Sequence, residues 1–377
     1  MAGGAAAIIY RAMSDTQPVQ QWITELSALR WPAEKARAWQ DSTPWLVGAN
    51  FVPSSASNQL EMWQAETFDP AAIDRELSWA AGIGMNVMRV FLHDLLWKQD
   101  AGAFLDRIDR YLDISLRHGI RTMLVLFDSC WHPFPRLGPQ RPPEPGVHNS
   151  CWVQSPGARI LADPRRFAGL EGYVKGVVGR FGEDPRVVIW DVWNEPDSTN
   201  ARTYGPRDLG DRKAELVLPC LRDTFHWVRS AGPSQPVTCG LWHGDWTPQG
   251  IDPFGRLQVE CSDIISFHCY GGLEHVQKAV GQLRPWGRPL VCSEYMARTN
   301  GSTFQAILPY FKTERIGAIN WGLVSGRSQT IYPWSTWQEP CEGEPPLWFH
   351  DVFRGDGSPY SQEEASVIRA LTGGPSR

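Results

Sequence analysis

Short apolar runs alternate with amphipathic stretches from about residue 45 to the end of the chain. Eight of the runs read as strands: Trp45–Asn50, Val87–Leu92, Thr122–Phe127, Val187–Trp193, Val237–Leu241, Ile264–His268, Leu290–Ser293 and Ala318–Trp321. They are nearly continuous in apolar residues, the pattern of parallel strands buried on both faces. Helical periods lie between them. Ala71–Gly82 sets Ile73, Leu77 and Ala80 on one face, with Pro70 at its start and Gly82 at its end. Ala103–His118 carries Phe104, Ile108, Leu112 and Leu116 at four-residue steps. Phe167–Phe181, Asp211–Ser230, Glu274–Leu283, Thr303–Lys312 and Gln362–Leu371 follow the same logic. Eight strand–helix repeats predict an α/β fold closed as a (β/α)₈ TIM barrel. The glycine-rich phosphate loop of a doubly wound sheet is missing where Gly48-Ala49-Asn50-Phe51 stands.

Residues 1–40 are polar or Ala-rich, with a helical period over Gln17–Leu29, and read as a lead-in segment. Residues 41–377 then form a single barrel domain. Two connections are much longer than the rest. Asp128–Asp163 follows the third strand and holds Trp131, Phe134 and Trp152; Gly322–Tyr360 follows the eighth and holds Trp334, Trp337 and Trp348. Both belong on the C-terminal face, where barrel sites are built, and loops of this length are usually functional.

Composition narrows the function. Hydrophobic residues make up 42% and charged residues 20%, as in an ordinary soluble domain. A net charge of −5 without like-charge runs argues against nucleic acid or an anionic membrane surface as a partner. No apolar run has the length of a membrane span, and Met1–Arg11 lacks the basic start of a secretory signal. A cytoplasmic protein is the expectation, or a secreted one if a leader has been removed. The 19 Trp residues are the outlier; roughly half are expected in the helix–sheet core, and exposed Trp suits stacking on sugar rings. Eight cysteines without a CxxC pair read as buried free thiols, although Cys130 and Cys151 flank one long loop and are placed for a bridge.

The sharpest chemical signal is Trp190-Asp191-Val192-Trp193-Asn194-Glu195-Pro196, an apolar strand running into a carboxylate at the barrel rim. Pro196 ends the ladder there. One strand-end Glu is more often a solvated rim acid. A second changes that reading: Leu290-Val291-Cys292-Ser293-Glu294-Tyr295 repeats the design. Counted along the chain, Glu195 closes the fourth strand and Glu294 the seventh, on opposite sides of one mouth. Cleaving a glycosidic bond needs one carboxyl to protonate the leaving oxygen and another to attack the anomeric carbon or activate water.

With these motifs the chain resembles glycoside hydrolase family 5 and its wider clan A over most of the barrel. The resemblance also rests on Arg89 in the second strand, His268-Cys269-Tyr270 after the sixth and Trp321 closing the eighth. It implies a retaining glycosidase with Glu195 as acid/base and Glu294 as nucleophile, their carboxyl groups about 5–5.5 Å apart. It further implies that Arg89 holds Glu294 ionised and lowers its pKa. Asn194 would donate to the sugar 2-hydroxyl, Tyr270 would bond the nucleophile, His268 would orient Glu195, and Trp321 would floor the site. Where many relatives carry a His near the end of strand 3, this chain reads Leu126-Phe127-Asp128. Asp128 is therefore expected to take part of that role toward a sugar hydroxyl, and His93-Asp94 offers another polar pair at the rim. Trp131 or Trp334 is expected to wall a pocket around a short or terminal sugar. The runner-up is an endo-acting β-1,4-glycanase (cellulase, mannanase or xylanase). A non-catalytic sugar-binding barrel has no use for both carboxylates. A metal-dependent barrel hydrolase, with His93, Asp94, Asp128, His132 and His268 as ligands, lacks an HxH pair on strand 1 and an HExxH motif. No metal and no organic cofactor is implied.

Overall fold

The strands are β1 (Val47–Asn50), β2 (Val87–Phe91), β3 (Arg121–Val125), β4 (Val187–Asp191), β5 (Val237–Thr238), β6 (Ile265–His268), β7 (Leu290–Glu294) and β8 (Gly317–Trp321). They pair in parallel in the order β5-β4-β3-β2-β1-β8-β7-β6, and a bridge from Leu241 to Phe267 draws β5 against β6 to complete the barrel. The structure is a computed structural model that describes residues 16–374.

Side-chain alternation splits the core in two, because successive residues of a strand face opposite ways. Met88, Val90, Leu124, Leu126, Trp190 and Val192 face outward and pack with Phe104, Ile108 and Val174 of the surrounding helices. Val87, Met123, Ile189, Val291 and Ile319 form an apolar layer at the bottom of the barrel interior. Phe91, Val125 and Trp321 form the top layer beside Trp152. Arg89 and Asp191 stand two residues above Val87 and Ile189, so the layer between is polar. That layer carries the site upward from a rigid base.

All eight strands lie where the apolar runs place them, with β5 shortened. The helices differ more. A helix over Pro253–Cys261, not among the expected ones, follows β5 and buries Phe254, Leu257, Gln258 and Cys261 on one face; it starts because Asp252 Oδ1 accepts from Gly255 N–H at 2.7 Å and Pro253 holds its first turn. The helix expected over 103–118 begins at Asp94 and bends at Asp100. The described part of the lead-in segment, from Thr16 on, packs into the core. Helix Thr16–Ser27 buries Val19, Ile23 and Leu26, and Ala33–Ser42 follows it, with Trp31 and Ala36 under the bottom layer. Trp31 N–H donates to Asp263 Oδ1 at 2.7 Å, and Arg288 donates to the Trp31 carbonyl at 2.7 Å. All eight cysteines are free thiols, Cys130 and Cys151 included. Among the described residues no helix is long and apolar enough to cross a membrane.

The two long loops tie to each other. Cys341 N–H donates to the Gly146 carbonyl at 3.0 Å, His148 N–H to Thr336 Oγ1 at 2.9 Å, and Gln329 Nε2 to the Glu144 carbonyl at 2.8 Å. Gly146, at φ 74°, sits so close to the Cys341 backbone that a Cβ has no room. Both loops also grip the segment after β1: Arg327 pairs with Glu61 at 2.9 Å, and Asn58 Nδ2 donates to the Cys151 carbonyl at 2.8 Å. The clasp therefore roofs the β1 side of the mouth.

Candidate active site

Arg89 is the pivot of the polar layer. It is fully buried, so each unpaired N–H would carry a desolvation cost, and all five are used. Nε and Nη2 donate to Asp191 Oδ2 at 3.1 and 2.7 Å, and Nη2 also to Asn194 Oδ1 at 2.7 Å. Nη1 donates to Asn50 Oδ1 at 2.9 Å and to Glu294 Oε1 at 2.7 Å. One side chain thus links β1, β4, the turn beyond it and β7.

Glu294 is the last residue of β7, and its second oxygen accepts from Tyr270 Oη at 2.7 Å. Burial lifts its carboxyl above the ordinary value; His268 and Arg89 pull the other way without overcoming it. The expected lowering by Arg89 is thus present as a pull, outweighed by burial.

Glu195 does not close β4, which ends at Asp191. It sits in the following turn at φ 43°, an uncommon left-handed conformation for a residue with a side chain. Ser129 Oγ donates to the Pro196 carbonyl at 2.7 Å and Ser198 N–H to the Glu195 carbonyl at 2.9 Å, which fixes the turn. Its carboxyl meets His268 Nδ1 at 2.8 Å and accepts from the Cys130 thiol at 3.4 Å. Burial raises the Glu195 carboxyl, and the bonds from Cys130 and Ser198 offset part of that.

His268 stands between the acids, with Nδ1 also 3.6 Å from Glu294 Oε2. Burial pushes its imidazole down to about 4, so it is neutral at pH 7. A Cβ on Gly240 would lie 3.0 Å from its Nε2, so the glycine after β5 makes room for the ring. One oxygen of Glu195 and one of Glu294 lie within 4.8 Å of each other and of a His268 nitrogen.

These groups open into a cavity of about 580 Å³, within the range of small-ligand sites. Asn194, Glu195, His268, Tyr270, Glu294, Trp321, Trp131 and Trp334 all line it. One Asn194 amide N–H goes to Asp128 Oδ1 at 2.9 Å; Cys130 Sγ lies 3.7 Å from the same nitrogen. Trp321 is braced edge-on by Phe91 and Trp152, each 5.7 Å away.

Asp128 and His93 do not reach the cavity. Asp128 is fully buried, accepting from Trp152 Nε1 at 2.5 Å, Asn194 Nδ2 at 2.9 Å, Cys130 N–H at 2.9 Å and Gln59 Nε2 at 3.0 Å. Burial pushes it up to about 6, and no lone pair is left for a sugar. It positions Asn194 and Trp152 instead. His93 is also fully buried and accepts from Leu95 N–H at 3.2 Å, capping a helix. Arg89 itself lies beneath the cavity and acts through its partners. Among the described residues, the His/Cys/Asp/Glu group within metal-ligand reach is Glu195, His268 and Glu294, so the ligand set drawn from His93, Asp94, Asp128 and His132 does not converge.

Several site residues escaped the sequence reading. Trp242 and His243 directly follow the apolar run Val237–Leu241, a position that carried the signal, and both bond Asp197, at 2.7 and 2.8 Å. Asp191 stood inside the quoted motif as a charge in an apolar strand. Cys130 and His148 lie within the long loop and offered no periodic cue.

The profile of Cellulase (glycosyl hydrolase family 5) matches residues 55–326. The probable mannan endo-1,4-β-mannosidase F of Emericella nidulans is 22% identical over 299 residues, covering 67% of this chain and 64% of that protein. The chain therefore spans less than two thirds of that relative. Of solved structures, the exo-β-1,4-mannosidase of Opitutaceae bacterium strain TAV5 superposes with a TM-score of 0.60 at 19% identity, over 88% of this chain and 60% of that one. The β-1,4-mannanase of the sea hare Aplysia kurodai gives 0.53 at 16% identity, over 74% and 87%. At such identities these structures speak to the fold. The profile match covers well over half of the sequence and takes in Arg89, Glu195, His268, Glu294 and Trp321, and on that ground the chain belongs to glycosyl hydrolase family 5.

Proposed function

We propose that the protein hydrolyses β-glycosidic bonds with retention, Glu195 serving as acid/base and Glu294 as nucleophile, at a terminal sugar. The observation that carries this reading is the pair of facing carboxyls in unlike surroundings, one oxygen of Glu195 lying within 4.8 Å of one oxygen of Glu294. An inverting pair stands roughly 6.5–9.5 Å apart to admit a water, so the close spacing supports double displacement. Arg89 and Tyr270 both donate to Glu294, which favours its anion. Glu195 has no bonded Arg or Lys among the described residues, which favours its proton.

In the first step Glu294 attacks the anomeric carbon while Glu195 gives its proton to the departing oxygen. In the second, Glu195 takes a proton from water, the water oxygen bonds the anomeric carbon, and the bond to Glu294 breaks. Neutral His268 orients Glu195 without adding charge. Trp321 offers a face to the sugar ring.

Action at a chain end is supported by the clasp over the β1 side. The cavity instead extends past Ser198, Trp242, Trp246 and Lys278, beyond β4, β5 and β6. β-Mannosides are the first substrates to test, because the names of the relatives above concern β-1,4-linked mannosides. Work on soluble oligosaccharides in the cytoplasm belongs to the same reading. The runner-up, internal cleavage, draws on Trp242 and Trp246, which offer stacking surface for a longer leaving group. An aryl glycoside panel and manno-oligosaccharides, with anomer and product size followed by NMR, test the proposal. Monosaccharide released first as the β-anomer is expected. The α-anomer first would overturn retention, and internal fragments would overturn terminal action.

A further inference from the structure

The clasped wall holds a polar group that the chemistry above does not use. His148 is 1% exposed, yet it lines the cavity along with Trp131 and Trp334. Its Nδ1 lies 2.7 Å from the Tyr332 carbonyl. A carbonyl only accepts, so Nδ1 carries the hydrogen. Burial pushes the imidazole down to about 4, so at pH 7 the ring is neutral and Nε2 keeps a lone pair. Among the described residues Nε2 has no protein partner, while the ring lines the cavity. An unpaired acceptor is thus placed in the cavity wall. Trp131 stands 6.0 Å from the ring, so a hydrophobic face and a single acceptor sit side by side. That combination suits a sugar, with C–H faces for the indole and a hydroxyl for the acceptor.

We propose that His148 is a specificity-determining residue whose Nε2 accepts a hydrogen bond from one hydroxyl of the terminal sugar. The proposal rests on the glycosidase reading and deepens it: the clasp both blocks the chain and reads the sugar that stops there. Buried acceptors discriminate strongly, because a ligand lacking the donor leaves them unpaired.

His148→Asn and His148→Gln separate recognition from support. The Asn amide can replace Nδ1–H toward Tyr332 but places no acceptor where Nε2 stands; Gln reaches toward that point. On the best aryl glycoside, His148→Asn should lower kcat/KM by about 10- to 100-fold, with His148→Gln recovering much of it. Against monodeoxy analogues, wild type should lose a similar factor at one hydroxyl, and His148→Asn should lose nothing further there. Full activity of His148→Asn on the parent sugar overturns the proposal. So does an equal loss on every deoxy analogue, the mark of a support role. Wild-type inactivity on all aryl glycosides overturns the glycosidase reading itself, which an active wild type keeps separate from the His148 result.

Discussion

The β7 wall and the turn after β4 hold the same functional group in opposite ways. Glu294 ends a regular strand and receives a guanidinium and a phenol at 2.7 Å each. Glu195 sits in a left-handed turn and receives a thiol at 3.4 Å beside a neutral imidazole. Burial lifts both carboxyls, so depth does not tell them apart. The partners do. A cation and a strong donor favour an anion on one wall, while weak neutral partners favour a proton on the other.

The largest test of this contrast is removal of each acid. Glu294→Ala should lower kcat by about 10⁴-fold or more, and azide should restore turnover with an inverted product. Glu195→Ala should keep much of its rate on aryl glycosides with acidic leaving groups, which need no proton. Identical leaving-group dependence in the two variants would erase the contrast.

Arg89→Ala should destabilise the fold by about 3–5 kcal/mol in urea titration, since it strips Asp191 and Glu294 of their buried partner. A loss below about 1 kcal/mol would mean the carboxyls stand without it.

A subtler test compares the amides. A carboxyl raised by burial binds its proton more tightly in the folded state, so stability falls as pH climbs from the ordinary Glu value to the raised one. At pH 7 Glu195→Gln removes that cost and should gain about 0.5–2 kcal/mol by thermal unfolding. Glu294→Gln leaves Arg89 short of a counter-charge and should not gain. Equal shifts for both would break the comparison.

The smallest effect belongs to Cys130. Its thiol donates to Glu195 and lowers that carboxyl. Cys130→Ala should therefore move the alkaline limb of the kcat/KM profile slightly upward in pH. A downward move would show that the thiol favours the protonated acid.

Much of this site was legible because barrels place chemistry at strand ends, and strand ends are visible as breaks in apolar runs. Glu195 and Glu294 were read from such breaks, whereas Arg89, which lies inside β2, Tyr270 and Trp321 were reached through the family resemblance. Asp128 and His93 were misread for a physical reason: a polar residue just past a strand faces solvent only if the next loop leaves it free. Here the residues after β3 fold back, and Trp152, Asn194 and Gln59 fill the Asp128 carboxylate. His148 was invisible because loop-to-loop contacts across some 180 residues leave no period in the sequence. The helix over Pro253–Cys261 was missed although Asp252-Pro253 is a start signal, because its apolar face is short.

The clasp between the loops after β3 and β8 has an evolutionary corollary. Neither loop supplies an acid, and the barrel beneath holds Arg89 and Glu294 without them. Lengthening, trimming or unfastening the outer parts of these insertions, beyond the Ser129 and Cys130 that hold Glu195, would reshape the mouth of the cavity and leave the two acids in place. A substitution at Gly146, where the two loops touch backbone to backbone, is the shortest mutational route to unfastening them.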